Sequence, residues 1–255
     1  AADALVEVGR HVRPGITTDE IDRIGHEFMV EAGSYPSTLN YRNFPKSLCT
    51  SVNEIVCHGI PDSRRLQDGD IVNVDITAFI EGVHGDTSCT YLVGDVDDAS
   101  AELVERTRAA MHAGISVVRP EARIFEIGRA IEQSVAPHGY GVVREFIGHG
   151  IGDQFHTSLQ IPHYYDPRND GVLLPGMTFT VEPMINVGSN RLDMWDDGWT
   201  VSTRDLQRSA QFEHTVLVTE SGHELLTVPA EGPPAEVLYA GVRLGAAAPA
   251  AAPTD

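Results

Sequence analysis

The chain has 255 residues, 42% of them hydrophobic and 22% charged, with a formal net charge of -19. That length can bury a sizeable core in one or two domains, and the acidic balance excludes a nucleic-acid binder, which needs a basic stripe to neutralise phosphates. Cys49, Cys57 and Cys89 form neither a CxxC pair nor an even framework, which excludes a disulfide scaffold or zinc knuckle; no apolar run reaches membrane-spanning length and no signal-peptide pattern is present, so the expected compartment is the cytoplasm, with no membrane partner.

The chain begins at Ala1 rather than Met, so its start is read as missing or processed. Leu5 to Val12 has helical periodicity and stops at Pro14-Gly15. Thr17-Thr18-Asp19-Glu20 reads as an N-cap with early acids, opening a helix that turns Ile21, Ile24 and Phe28 inward and ends near Gly33. Residues 71–78 alternate at period two, with Ile71, Asn73, Asp75 and Thr77 on one side. A strand with so polar a face is expected to line a site. Glu81-Gly82 marks a hairpin turn, and residues 86–93 return as a second strand. Residues 100–118 and 124–136 read as helices separated at Pro120, and residues 177–187 and 211–219 as further strands. Helix pairs and strand pairs alternate twice, which predicts an α+β fold with a curved antiparallel sheet covered by helices on one face. From Pro229 the composition drifts towards Ala and Pro, so residues 229–255 are expected to form a disordered tail behind a single catalytic domain over residues 1–228.

The chain also repeats itself. Leu66-Gln67-Asp68-Gly69 leads through Val74 to Asp75, and Leu173-Leu174-Pro175-Gly176 leads through Val181 to Glu182. Upstream, Val12-Arg13-Pro14 before Glu20-Ile21 echoes Val118-Arg119-Pro120 before Glu126-Ile127, while His58-Gly59-Ile60 and His149-Gly150-Ile151 match at a shorter offset. The main offset, about 106 residues, is too long for a solenoid unit and fits two related halves, about 12–98 and 118–220. An acid from each half would meet at the seam between them.

Asp86 follows the first hairpin turn, where it can sit beside Asp75 on the neighbouring strand. Glu182 and Glu213 are likewise acids set in apolar strand, and His149 lies in a Gly-rich loop. Taken singly, each is an ordinary turn, edge or loop residue. Taken together, carboxylates this close repel one another unless a cation sits between them. Hard oxygen ligands with one nitrogen suit a pair of divalent ions such as Mn, Fe, Co or Zn, held about 3.5–4 Å apart by shared carboxylates.

Five ordered runs carry a resemblance: Asn73-Val74-Asp75-Ile76-Thr77, His84-Gly85-Asp86-Thr87-Ser88, Gly148-His149-Gly150-Ile151-Gly152, Thr180-Val181-Glu182-Pro183-Met184 and Gln211-Phe212-Glu213-His214-Thr215. Together they resemble the type I methionine aminopeptidases of bacteria, over nearly the whole chain up to Thr227. The resemblance implies the pita-bread fold, two pseudo-symmetric αββ halves around a dinuclear metal site. It implies Asp75, Asp86, His149, Glu182 and Glu213 as metal ligands, Asp86 and Glu213 bridging. Glu182 is then also the general base, and His58 and His156 contact the substrate and stabilise the tetrahedral intermediate. Tyr41, Phe44, Cys49, Phe155 and Trp199 would form the methionine pocket, and Asn53, Ile55 and Ser209 a monovalent cation site. The implied cofactors are two divalent ions among Co, Mn, Fe, Zn and Ni, with Na or K at the monovalent site. The implied partners are the N-terminal Met peptides of nascent chains, with ribosome association a further implication and a monomeric state expected. The reaction would be removal of the N-terminal methionine by a metal-bridging hydroxide when the second residue is small, since a bulky one would clash near the metals.

Thr38 stands where some relatives have Cys, and Phe44 where they have Tyr; both should tune the pocket without removing activity. Two alternatives remain at this point. A proline-directed aminopeptidase or dipeptidase of the same fold shares the five ligands but usually carries an extra N-terminal domain. A non-catalytic binding paralogue is disfavoured by the complete ligand set.

Overall fold

The two copies of the repeat follow the same backbone path. In this computed structural model, which describes residues 1–245, the turn residues Gly69 and Gly176 both adopt left-handed φ, at 92° and 89°. Each donates its N–H across a sheet, Gly69 to Val93 and Gly176 to Val218, at 2.8 and 2.9 Å. Leu66 and Leu173, the first residue of each copy, are both buried. The upstream echo has an equally concrete meaning. Glu20 accepts the N–H of Thr17 and Glu126 accepts the N–H of Arg123, so each acid caps the start of its helix. The copies diverge one residue after the shared proline, where Gly15 has φ 87° and Glu121 must take φ 67°.

Helices α1 (Ala2–Gly9) and α2 (Thr18–Glu31) pair with each other, and α1 rests on the strands Ile71–Ile80 and Val83–Val93. Helices α3 (Asp98–Ser116) and α4 (Ile124–Val135) pair in turn, and α3 rests on the strands Met184–Asn186 and Ser209–Gln211. Val72, Val74 and Ile76 from the first half and Phe179, Val181 and Val216 from the second share one continuous core. The halves are joined at Ser88 and Glu213, an isolated antiparallel bridge. No described helix is long and apolar enough to cross a membrane.

The chain departs from expectation in three places. The first helix ends at Gly9, before Val12. The strands expected over 177–187 and 211–219 are each interrupted, at Glu182-Pro183 and at Phe212-Glu213. Pro183 has no N–H to give to a ladder. Register is nonetheless kept across the break, since Val181 pairs with His214 and Met184 with Gln211, which leaves Glu182 opposite Glu213.

The third departure corrects the disordered tail. Residues 229–245 fold back over the first half, and only 246–255 lie outside the described residues. The short helix α5 (Ala235–Leu238) buries Glu236 against Arg108 and His112, both at 3.4 Å, and His214 at 3.6 Å. Tyr239 donates to the Val6 carbonyl and packs its ring on Tyr91. Arg243–Leu244 then pairs parallel with the strand Val83–Val93, which makes the sheet mixed instead of antiparallel. Composition misled here because a few anchoring side chains, spaced along an Ala- and Pro-rich stretch, provide the contacts.

Candidate metal centre

The first hairpin sets Asp75 opposite Ser88 and Thr77 opposite Asp86, so the two aspartates lie diagonally on one face. The Thr77 hydroxyl donates to Asp86 Oδ1 at 2.7 Å. In the second half the Thr180 hydroxyl donates to Glu182 Oε1, also at 2.7 Å, while accepting the N–H of His149 at 3.0 Å. Each half thus orients an acid with a threonine two strand positions from Asp75 or Glu182. Gln211 Nε2 reaches Glu182 Oε2 at 3.3 Å. His149 Nε2 lies 3.7 Å from both Asp86 Oδ2 and Glu182 Oε1. Asp86, His149 and Glu213 each offer a ligand atom, all within 4.8 Å of one another.

Backbone geometry makes this possible. Gly148 lies so close to the second-half strand that a Cβ there would stand 2.3 Å from the Thr180 carbonyl oxygen. A Cβ on Gly150 would stand 2.2 Å from Thr157 Oγ1. His149 is carried between two positions that admit no side chain.

Asp86 and Glu213 are 4% and 2% exposed, while Asp75, Glu182 and His149 are half-buried and face a shared cavity. Withdrawal from water, then the charges of Asp86 and Glu182, push the Asp75 carboxyl well above the usual range. Desolvation, then Asp86, Glu182 and Asp75, does the same for Glu213. Asp86 is raised by desolvation against the pull of His149 and Thr77. Glu182 rises to about 8, through desolvation opposed by Thr180 and reinforced by Asp86. His149 is lowered by desolvation despite Asp86. Four carboxylates around one neutral imidazole cannot all ionise without added positive charge. This oxygen-rich donor set with a single nitrogen fits divalent metal.

The cavity measures about 480 Å³. Its lining includes all five of these residues, together with His58, His156, Tyr41, Phe44, Cys49, Phe155 and Trp199, and also Thr38. Its far wall is aromatic. Tyr41 meets Phe155 at 4.7 Å between ring centroids, and Phe44 meets Trp199 edge-on at 5.2 Å. His156 stacks on His149 at 3.8 Å and on Tyr41 at 5.3 Å. It opens to the mouth, yet crowding by these rings, then the charges of His149 and Arg42, push it to about 3. His58, held at φ 57° and edge-on to Phe146 and Trp199, is pushed to about 4 by desolvation and His149.

Asn53, Ile55 and Ser209 gather elsewhere, on the strands behind the cavity. The Asn53 carbonyl accepts the Ser209 N–H at 2.8 Å, Ile55 pairs with Ser202, and the buried Ser209 Oγ has no hydrogen-bond partner among the described residues. An orphaned hydroxyl beside a carbonyl is a fitting donor set for a monovalent cation.

Sequence reading missed Thr180, Gln211, Cys57, Met184 and Phe146, and with them His163, which accepts the Glu182 N–H outside the cavity wall.

Residues 1–220 match metallopeptidase family M24. Methionine aminopeptidase 2 of Mycobacterium tuberculosis (strain ATCC 25618 / H37Rv) is 56% identical over 227 residues, covering 89% of this chain and 80% of that protein. Methionine aminopeptidase 1A of Arabidopsis thaliana is 54% identical over 227 residues, and the chain spans only 57% of its length. The crystal structure of methionine aminopeptidase from Rickettsia prowazekii superposes with a TM-score of 0.88 at 47% identity, covering 89% of this chain and 92% of that one. Prolidase from Pyrococcus furiosus, at 20% identity and a TM-score of 0.70 over 90% of this chain and 61% of that one, shares the fold alone.

Proposed function

The chain belongs to metallopeptidase family M24 and, within it, to the methionine aminopeptidases, enzymes that use divalent metal to remove an N-terminal methionine; we propose that in this chain Asp75, Asp86, His149, Glu182 and Glu213 hold two such ions and that the substrate's second residue must be small. The observation that carries this reading is a single cavity whose acidic end and aromatic end are continuous. An acid cluster alone would suit any hydrolase, and an aromatic wall alone any apolar ligand.

Asp86 and Glu213 are read as the shared ligands, because they are the most buried and come from opposite halves. Bound divalent ions would supply Lewis acidity and an activated water at neutral pH. The protein's part is to place the peptide. Tyr41, Phe44, Cys49, Phe155 and Trp199 receive a long, soft methionine side chain, whose sulfur packs well on ring edges. The free amino group and first carbonyl then lie at the carboxylate end, where Glu182 takes and returns the proton. His58 and His156 stay neutral at pH 7, so they steady the developing oxyanion as hydrogen-bond partners without adding charge beside the metals. Asn53, Ile55 and Ser209 would hold Na or K behind the site.

Between Glu182 and Glu213 the chain forms only short strands and turns, with no helix. That supports the type I reading over a type II enzyme, which inserts helices there. The same reading carries a monomeric state, a cytoplasmic location and ribosome association, each open to sedimentation or fractionation. One assay tests the function. Hydrolysis of Met-Ala-Ser, Met-Leu-Ser and Xaa-Pro peptides is compared with added Mn or Co, and cleavage of the first alone is expected. Cleavage of Xaa-Pro alone would make the protein a proline-directed peptidase instead.

A further inference from the structure

Every polar atom of Glu182 has a protein partner. Oε1 accepts from Thr180, Oε2 and the carbonyl accept from Gln211 Nε2, and the N–H donates to His163 Nε2 at 3.1 Å. The side-chain partner of that N–H has a reason. The ladder breaks at Glu182-Pro183, so the N–H lacks a strand carbonyl and must be satisfied from outside the sheet.

His163 is 0% exposed and lies outside the cavity wall. Since a backbone N–H donates to Nε2, that nitrogen carries its lone pair and the ring's proton sits on Nδ1. Two glycines leave room for this arrangement, one against the backbone on either side of His163 and one against its ring. A Cβ on Gly128 of helix α4 would stand 2.1 Å from the Tyr164 oxygen and 2.7 Å from the Pro162 oxygen, so the helix presses directly on the backbone around His163. A Cβ on Gly148 would stand 3.2 Å from His163 Nε2, so the ring uses space left free beside His149. Residue 163 also lies two positions past the end of the strand Gln160–Ile161, which pairs with Gly148–His149.

We propose that His163 is a positioning residue: its unprotonated Nε2 fixes the peptide plane entering Glu182, and thereby the direction in which the Glu182 carboxylate meets the metal site. The proposal rests on the reading of Glu182 as ligand and base. Groups that hold a metal ligand in place typically change metal affinity or turnover 10–100-fold when lost, by aiming the ligand without touching the ion.

The test compares His163→Gln with His163→Met in the full chain. The two side chains have similar length and bulk, but only Gln keeps an acceptor where Nε2 stands. Expected for Met is a roughly 10–100-fold loss of Mn affinity by calorimetry, with kcat on Met-Ala-Ser lowered and KM within about twofold; Gln recovers most of both. Metal-free melting temperatures should be similar for the two variants. Wild-type Mn affinity and kcat in the Met variant overturn the proposal. So do equal losses in both variants that follow their melting temperatures, which would make His163 a packing residue. A wild-type chain that binds Mn but does not cleave Met-Ala-Ser defeats the functional reading instead, and the Mn affinities still judge His163. Gly128→Ala gives a route that leaves the ring intact: it displaces the 162–164 backbone and should weaken Mn binding, and unchanged affinity there also counts against the proposal.

Discussion

Ser88 and Glu213 exchange both backbone hydrogen bonds, N–H to carbonyl in each direction, at 3.3 and 3.1 Å. The Thr87 hydroxyl adds a third bond to the Glu213 carbonyl at 2.7 Å. Beside them Thr215 Oγ1 accepts the Asp86 N–H and donates to the Asp86 carbonyl. Some of the bonds that join the two halves are therefore also the bonds that hold Asp86 and Glu213. Any sliding of one half past the other would separate the two acids proposed to share the metals.

Metal should consequently act as a stabiliser whose effect grows with pH. In the metal-free protein the raised carboxyls favour the protonated folded form. For Glu182 that contribution is full below the unfolded value near 4.5 and is lost as pH rises through about 8. Bound divalent ion replaces those protons. At 100 times its Kd an ion contributes about 2.7 kcal/mol, or roughly 5–10 °C in Tm for a chain of this size. Melting with Mn and with a chelator should show a gap that widens from pH 5 to pH 8, and a gap that narrows would contradict the carboxylate assignment.

His156→Ala should lower kcat by about 100-fold or more while leaving metal content near that of the wild type. The ring stacks on His149 but is not one of the three residues whose ligand atoms converge. Metal analysis beside steady-state kinetics decides it, and loss of metal in step with kcat would reassign His156 to holding His149 in place.

Gly148→Ala should impair both folding and metal uptake. Its Cβ would meet a backbone oxygen at 2.3 Å, which no rotamer change can relieve. Overpacking of this kind costs about 1–3 kcal/mol. Because the strain falls next to His149, Mn stoichiometry should drop even at temperatures where the variant stays folded. Denaturant melts and metal titration measure the two effects separately.

Glu121→Gly should stabilise the chain. Glu121 occupies the left-handed position that its repeat partner Gly15 fills without strain, and its side chain is exposed. Relief of about 1–2 kcal/mol is partly offset by the greater freedom of Gly in the unfolded chain, leaving up to about 1 kcal/mol. Gly15→Ala should do the opposite, and chemical denaturation of both tests the pair.

Much of the site was legible because strands carry their chemistry on alternate residues. Asp75 stood out on a polar face of an otherwise apolar segment, and the repeat pointed to Glu182 as its mate. Gln211 and Thr180 gave little sign, since a polar residue in a strand is usually unremarkable until its partner is known. His163 was hidden for a different reason: its role depends on a ladder broken twenty residues away at Pro183, a long-range fact. The ordered segment over 229–245 was missed because Glu236, Tyr239 and Arg243 are too sparse to alter the local composition. The monovalent-cation residues were suggested by family resemblance alone, as backbone carbonyls leave no mark on a sequence.

The wide separation of Asp86 and Glu213 along the chain has a consequence in time. At about 5–20 residues per second, synthesis leaves the first hairpin exposed for roughly 6–25 s before Glu213 is made. A hairpin formed within that interval would make Asp75 and Asp86 close neighbours, while the carbonyl and N–H of Ser88 still await the segment that satisfies them. The first half is thus born as an unfinished edge. Its completion waits on the segment around Glu213, which bridges Ser88 and adds its own carboxylate to the acid cluster in the same step.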